Sequence, residues 1–88
     1  MVIKYFSWVK ELAETSEEQI ELPDNIKNVE ELIKFLIKKN KKYEKIFIRN
    51  NTIKIAVNKT YTSRSSKITN TDEIAFFLQS PVDKYNEY

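Results

Sequence analysis

The chain holds no glycine in 88 residues, and that absence narrows the ways it can turn. Glycine alone enters the left-handed region of backbone space without a steric penalty. Without it, every tight reversal at positive φ falls on Asn, Asp or a residue that accepts strain. The expected positions are Asp24-Asn25, Asn50-Asn51, Asn58 and Asn70. The fold must therefore come from well-patterned strands and helices joined by a few such turns.

The patterning is clear. Val2 to Phe6 is densely apolar and reads as a central strand. Ser7 is placed to cap a short helix from Trp8 to Ala13, in which Val9, Leu12 and Ala13 share one face. From Glu18 to Leu22, Ile20 and Leu22 alternate with Gln19 and Glu21, as in a half-buried strand that Pro23-Asp24-Asn25 ends. The main helix starts at Asn28, a good N-cap. Glu31, three residues on, is placed to reach back to the cap's N–H. Val29, Leu32, Ile33, Leu36 and Ile37 follow at helical spacing and form a core-facing stripe. Lys38, Lys39, Lys41 and Lys42 crowd its end, where cations suit the helix dipole. Tyr43 to Ile48 is either a short turn of helix or irregular. Ile53, Ile55 and Val57 form a strand, Thr60-Tyr61-Thr62 a brief further one, and Glu73 to Leu78 the last. The order implies an α+β roll, with a mixed four- to five-stranded sheet, the last strand beside the first, and the long helix across one face.

Composition excludes several kinds of chemistry. There is no cysteine and no histidine, so thiolate nucleophiles, disulfides, a Ser-His-Asp triad and the usual zinc sites are all ruled out. No catalytic, cofactor-binding or metal-binding residues are assigned. Net charge is +2, with both signs abundant, which does not fit a nucleic-acid binder. No apolar run reaches the roughly 20 residues that cross a bilayer, and the start lacks the marks of a signal peptide. A cytoplasmic protein is expected. Glu17-Glu18 and Asp72-Glu73 are read as surface charge, and Tyr5, Phe6 and Trp8 as core. Phe76 and Phe77 must point to opposite faces of their strand; one belongs to the core, and the other faces solvent or a partner.

Several pieces resemble a known family in order and spacing. Lys10-Glu11-Leu12 follows an apolar strand, Ala56-Val57-Asn58 ends the third strand, Asp72-Glu73-Ile74-Ala75-Phe76-Phe77 forms the last, and Pro81-Val82 comes after it. Together they resemble the small, sulfur-carrier subunit of molybdopterin synthase, from Val2 to about Val82. The resemblance implies a ubiquitin-like β-grasp domain over residues 1–80 and a C-terminal tail over 81–88. It implies a non-catalytic subunit of molybdenum cofactor biosynthesis. Its partners would be the large synthase subunit and an ATP-dependent activating enzyme that prepares a C-terminal Gly-Gly for sulfur transfer.

The family's Gly-Gly lets a thin backbone thread a narrow channel. With Pro81-Val82 aligned, Lys84 and Tyr85 stand where the glycines belong, and Tyr88 is bulky. The expectation is that Phe77, Leu78, Pro81 and Val82 bind a partner, while Lys84, Tyr85 and Tyr88 replace the sulfur-carrying end. The alternative is a repurposed β-grasp module that binds a protein and carries no sulfur.

Overall fold

The computed structural model describes residues 1–48 and 53–78. Strand β1 (Val2–Tyr5) leads into helix α1 (Ser7–Ala13), followed by β2 (Glu17–Gln19), α2 (Val29–Lys39), α3 (Lys41–Phe47), β3 (Ile53–Val57), β4 (Thr60–Thr62) and β5 (Glu73–Leu78). The strands form one five-stranded sheet in the order β2-β1-β5-β3-β4. β1 and β5 run parallel at its centre, with Ile3 opposite Ile74 and Tyr5 opposite Phe76. The other pairs are antiparallel, so the sheet is mixed, with the last strand beside the first as expected.

One face of this sheet is dry. Ile3, Tyr5, Ile55, Ile74 and Phe76 are buried against Val29, Leu32, Ile33 and Leu36 of α2 and against Tyr43, Ile46 and Phe47 of α3. The Phe47 and Phe76 rings meet edge to face at 4.8 Å, an arrangement worth somewhat more than its area alone. Ile37, the last member of the predicted stripe, is half-buried at its margin. The Asn28 cap forms as expected, its side chain accepting the Glu31 N–H at 2.9 Å. The Glu31 carboxylate reaches back to the N–H of Lys27, at 2.6 Å, rather than to that of Asn28. Asn40 then breaks the helix with extended backbone and caps α3 through the Lys42 N–H. The segment left open between helix and irregular chain is thus helical from Lys41 to Phe47.

Three local expectations are corrected. Ser7 is not a cap: Phe6 takes that place with no side-chain bond, because its carbonyl already accepts the N–H groups of Val9 and Lys10 at 3.1 and 3.3 Å. β2 covers Glu17–Gln19 instead of running to Leu22. Ile20 still donates to the Met1 carbonyl at 3.0 Å, but the Asn70 side chain takes the Leu22 N–H at 2.8 Å and draws the chain off the sheet edge. Positive φ falls on Ser7, Glu14, Asn58 and Lys59. Of the predicted positions Asn58 alone is among these; Asp24, Asn25 and Asn70 are not, and Asn50-Asn51 lies outside the described residues. Glu14 ends α1 in the left-handed conformation, donating its N–H to the Glu11 carbonyl. Asn58 and Lys59, both at positive φ, form the two-residue reversal between paired Val57 and Thr60, the pattern of a type I′ hairpin turn. The domain boundary drawn after residue 80 lies outside the described residues.

Candidate docking site on the open face

Strand alternation sends every second side chain to the face away from α2. On β1 these are Val2 and Lys4, and on β5 Glu73, Ala75 and Phe77. Lys54 and Ala56 of β3 follow, then Tyr61 of β4, which pairs with Ala56. Lys4 and Glu73 form an ion pair there at 3.7 Å. Ala56 is buried yet stands apart from the main core cluster, covered on this second face opposite Tyr61.

Aromatic side chains gather at one end of that face. Phe77 is half-buried, with its ring centroid 5.6 Å from that of Tyr61. Phe6 continues β1 in extended conformation and donates its N–H to the Phe76 carbonyl at 3.1 Å. That bond places it one step beyond the Tyr5–Phe76 pair, in register with Phe77. Phe6 is 48% exposed, Tyr61 79% and Trp8 69%. Of the three aromatics read as core, Tyr5 is buried, but Phe6 and Trp8 are not. Alternation turns Phe6 away from the core, and the positive-φ corner at Ser7 throws Trp8 outward while Val9 takes the buried place on α1.

Among the predicted partner-binding residues, Phe77 lies in this band. Leu78 ends β5 with its backbone opposite Ile53. Pro81, Val82, Lys84, Tyr85 and Tyr88 lie outside the described residues. Tyr61, Phe6 and Trp8 were not singled out as partner-binding from sequence. Period-2 alternation carried from Phe77 to its neighbours on β1 and β4 would have found the first two.

The other polar constellation is internal. Glu18 faces the core side of β2 as the partner of Ile3. Its carboxylate accepts the hydroxyl of Tyr5, at 2.7 Å, and that of Tyr43. It is therefore not the plain surface charge expected for Glu17-Glu18. Burial opposes its ionisation, but the hydrogen bonds from Tyr43 and Tyr5 and the charges of Lys42 and Lys39 hold it below the usual glutamate value. Burial, then the bond to Glu18, pushes the Tyr43 phenol up to about 12 and drives that of Tyr5 far above the usual range. Lys42 also donates to the Ala13 carbonyl at 2.8 Å, joining α3 to the end of α1. A carboxylate that accepts two phenol hydroxyls ties β2 to β1 and α3 as a structural clasp. Among the described residues no group of three or more Asp or Glu side chains is placed to hold a metal ion, and no helix is long and apolar enough to cross a membrane.

Comparison with known proteins agrees with this architecture. The sequence matches the ThiS family over residues 3–78. A Pyrococcus furiosus protein assigned provisionally as molybdopterin converting factor, subunit 1, superposes with a TM-score of 0.70 at 28% identity, over 90% of this chain and 95% of that one. SAMP1 from Haloferax volcanii superposes with a TM-score of 0.74 at 17% identity, over 92% of this chain and 96% of its own, and speaks for the fold alone. Both have the ubiquitin-like β-grasp fold. No curated protein sequence matches the chain.

Proposed function

Because the chain belongs to the ThiS family of small ubiquitin-fold sulfur carriers, we propose that it serves molybdenum cofactor biosynthesis as a non-catalytic small subunit in the cytoplasm. Its partner in this reading is the large subunit of molybdopterin synthase. The observation that carries the reading is the band of Phe6, Phe77 and Tyr61 on the open sheet face. Exposed aromatics clustered on a sheet face are what a partner's pocket takes as an anchor. The band also stands at the end of β5, from which Pro81 and Val82 follow. The Pyrococcus neighbour's printed assignment supports the same direction.

The same proposal holds that these 88 residues dock without forming a thiocarboxylate. In this reading, with Pro81-Val82 aligned to the family's proline and valine, Lys84 and Tyr85 stand where the two glycines belong, and the 88 residues contain no glycine. A side chain at each position needs a wider channel, and even a 1 Å misplacement of a reacting group costs about a hundredfold in rate. The missing glycines also favour the second reading, a repurposed module that binds some other protein.

Two measurements separate these readings. The chain is co-expressed with the large subunit encoded in its own genome, and copurification is measured for the wild type and for Phe77→Ala. A complex that weakens at least tenfold on Phe77→Ala is expected. No complex with wild type removes the synthase partner and leaves the repurposed module. The chain is also incubated with the activating enzyme, ATP and a sulfur donor, and its intact mass recorded. An unchanged mass is expected, and an oxygen-to-sulfur shift overturns the claim about carriage.

A further inference from the structure

The helix side of the molecule, away from the aromatic band, holds a groove of about 440 Å³ between the 23–26 segment and α2. Its apolar lining comes from Pro23, Ile26 and Phe35, and its rim from Lys34 and Lys38. Ile26 is buried, Phe35 and Pro23 are half-buried, and both lysines are exposed. The groove therefore has an apolar floor under two exposed cations.

The charges at this groove are unevenly committed. Its one lining acid, Glu31, accepts the Lys27 N–H at the α2 start. Lys34 and Lys38 take part in neither of the ion pairs formed among the described residues. They stand one turn apart on the same helix face, where like charges repel and weaken a helix slightly. The dipole accounts for Lys38 and Lys39 in the last turn, but Lys34 lies above that turn. Lys39 sits 6.0 Å from the Phe35 ring centroid, which adds a third cation beside the floor. From Leu32 to Tyr43 the chain carries five lysines and no acid.

We propose that this groove docks an extended acidic peptide segment of a protein partner. One aromatic side chain of the segment lies on Phe35 and Ile26, and its flanking carboxylates meet Lys34 and Lys38. Charge complementarity selects the acidic occupant, and the apolar floor selects a peptide over a nucleic-acid backbone, for which a net charge of +2 is weak support. The groove and the open sheet face lie on opposite sides of the helix layer, so the two can be occupied together. The proposal does not rest on the synthase reading.

The test is a titration of the isotope-labelled full chain, followed by amide resonances. The probe is the capped peptide Asp-Glu-Phe-Glu-Asp, with its neutral counterpart Asn-Gln-Phe-Gln-Asn as control. Saturable binding is expected below about 1 mM, with shifts centred on Ile26, Lys34, Phe35 and Lys38. The neutral peptide and the K34E/K38E double variant each bind at least tenfold more weakly. Lys54→Glu, on the open face, leaves binding unchanged. The urea midpoint of each variant checks that it folds. Absence of saturation, equal binding of the neutral peptide, or equal loss in Lys54→Glu overturns the proposal. So does tighter binding of a single-stranded oligonucleotide at the same residues. The large subunit is absent from this assay, so its outcome is separate from that of the docking test above.

Discussion

Phe76 and Phe77 are the same residue type, one position apart on one strand, and they do opposite work. Phe76 is fully buried, stacked near Tyr5 and set edge-on to Phe47. Phe77 lies on the far face in ring contact with exposed Tyr61. Strand periodicity alone separates them. The face under α2 and α3 holds the fold together, while the face beyond it carries side chains that are partly or largely exposed. A substitution should therefore reveal its face by which measurement it moves.

The largest difference is expected at that pair. Phe76→Ala leaves a cavity among Tyr5, Phe47 and α2 and should cost about 3–5 kcal/mol, a major share of the 5–15 kcal/mol typical of a domain. Phe77→Ala should cost about 1 kcal/mol or less in urea unfolding, since its ring is already partly wet, and should act on partner affinity instead. Equal losses of stability at the two positions would break the division between faces. Leu32→Ala, on the α2 side of the same core, should cost about 2–4 kcal/mol and leave docking unchanged once the protein is folded.

Next in size is the Glu18 clasp, which pins edge strand β2 to Tyr5 on β1 and Tyr43 on α3. Hydrogen bonds to a charged group contribute about 1.5–3 kcal/mol, so Glu18→Leu, which strands two phenol hydroxyls, should destabilise by about that amount. Glu18→Gln, which keeps an acceptor, should cost less. The sign of the pH dependence follows from the lowered value of Glu18 in the fold. Its contribution is complete above the ordinary glutamate value of 4.5 and is lost as pH falls through the folded value. Urea midpoints measured from neutral pH into the acid range should therefore fall more steeply for wild type than for Glu18→Gln. Parallel curves would show that the clasp carries no net weight. Tyr43, raised to about 12, works in the opposite direction: its share is complete below the usual phenol value and is lost as pH rises through about 12.

What the sequence disclosed follows the same split between faces. The α2 stripe, the Asn28 cap and the alternation of β3 and β5 are local patterns, and each appears where the spacing placed it. Glu18 was hidden because its role depends on β2 pairing with β1 and on α3 arriving from residue 41 onward. No local window contains both Tyr5 and Tyr43. Phe6 and Trp8 misled for local reasons: both are apolar, but strand alternation turns Phe6 away from the core, and the positive-φ corner at Ser7 turns Trp8 outward. The short β2 reflects a distant residue, Asn70, which captures the Leu22 N–H. Long-range partners decided Glu18 and the end of β2, and local backbone geometry decided Phe6 and Trp8.

The smallest effect returns to the missing glycine. In the hairpin from β3 to β4, Asn58 and Lys59 have φ of 51° and 70°. Asn tolerates that region through its short polar side chain, and here it is also held by Asp72, whose carboxylate accepts its side-chain N–H at 2.9 Å. Lys59 has no such compensation from its side-chain type, and a non-glycine residue in the left-handed region costs roughly 1–2 kcal/mol. Glycine removes that penalty but adds about 0.5–1 kcal/mol of unfolded-state entropy. Lys59→Gly should therefore stabilise by about 0.5 kcal/mol, seen as a small rise in the urea midpoint. The turn carries Tyr61 over the open face without touching the core, so docking should be unchanged. A loss of stability would mean that the Lys59 side chain, and not its backbone, holds the hairpin, and that the open face is fixed by side-chain contacts there as firmly as the buried one.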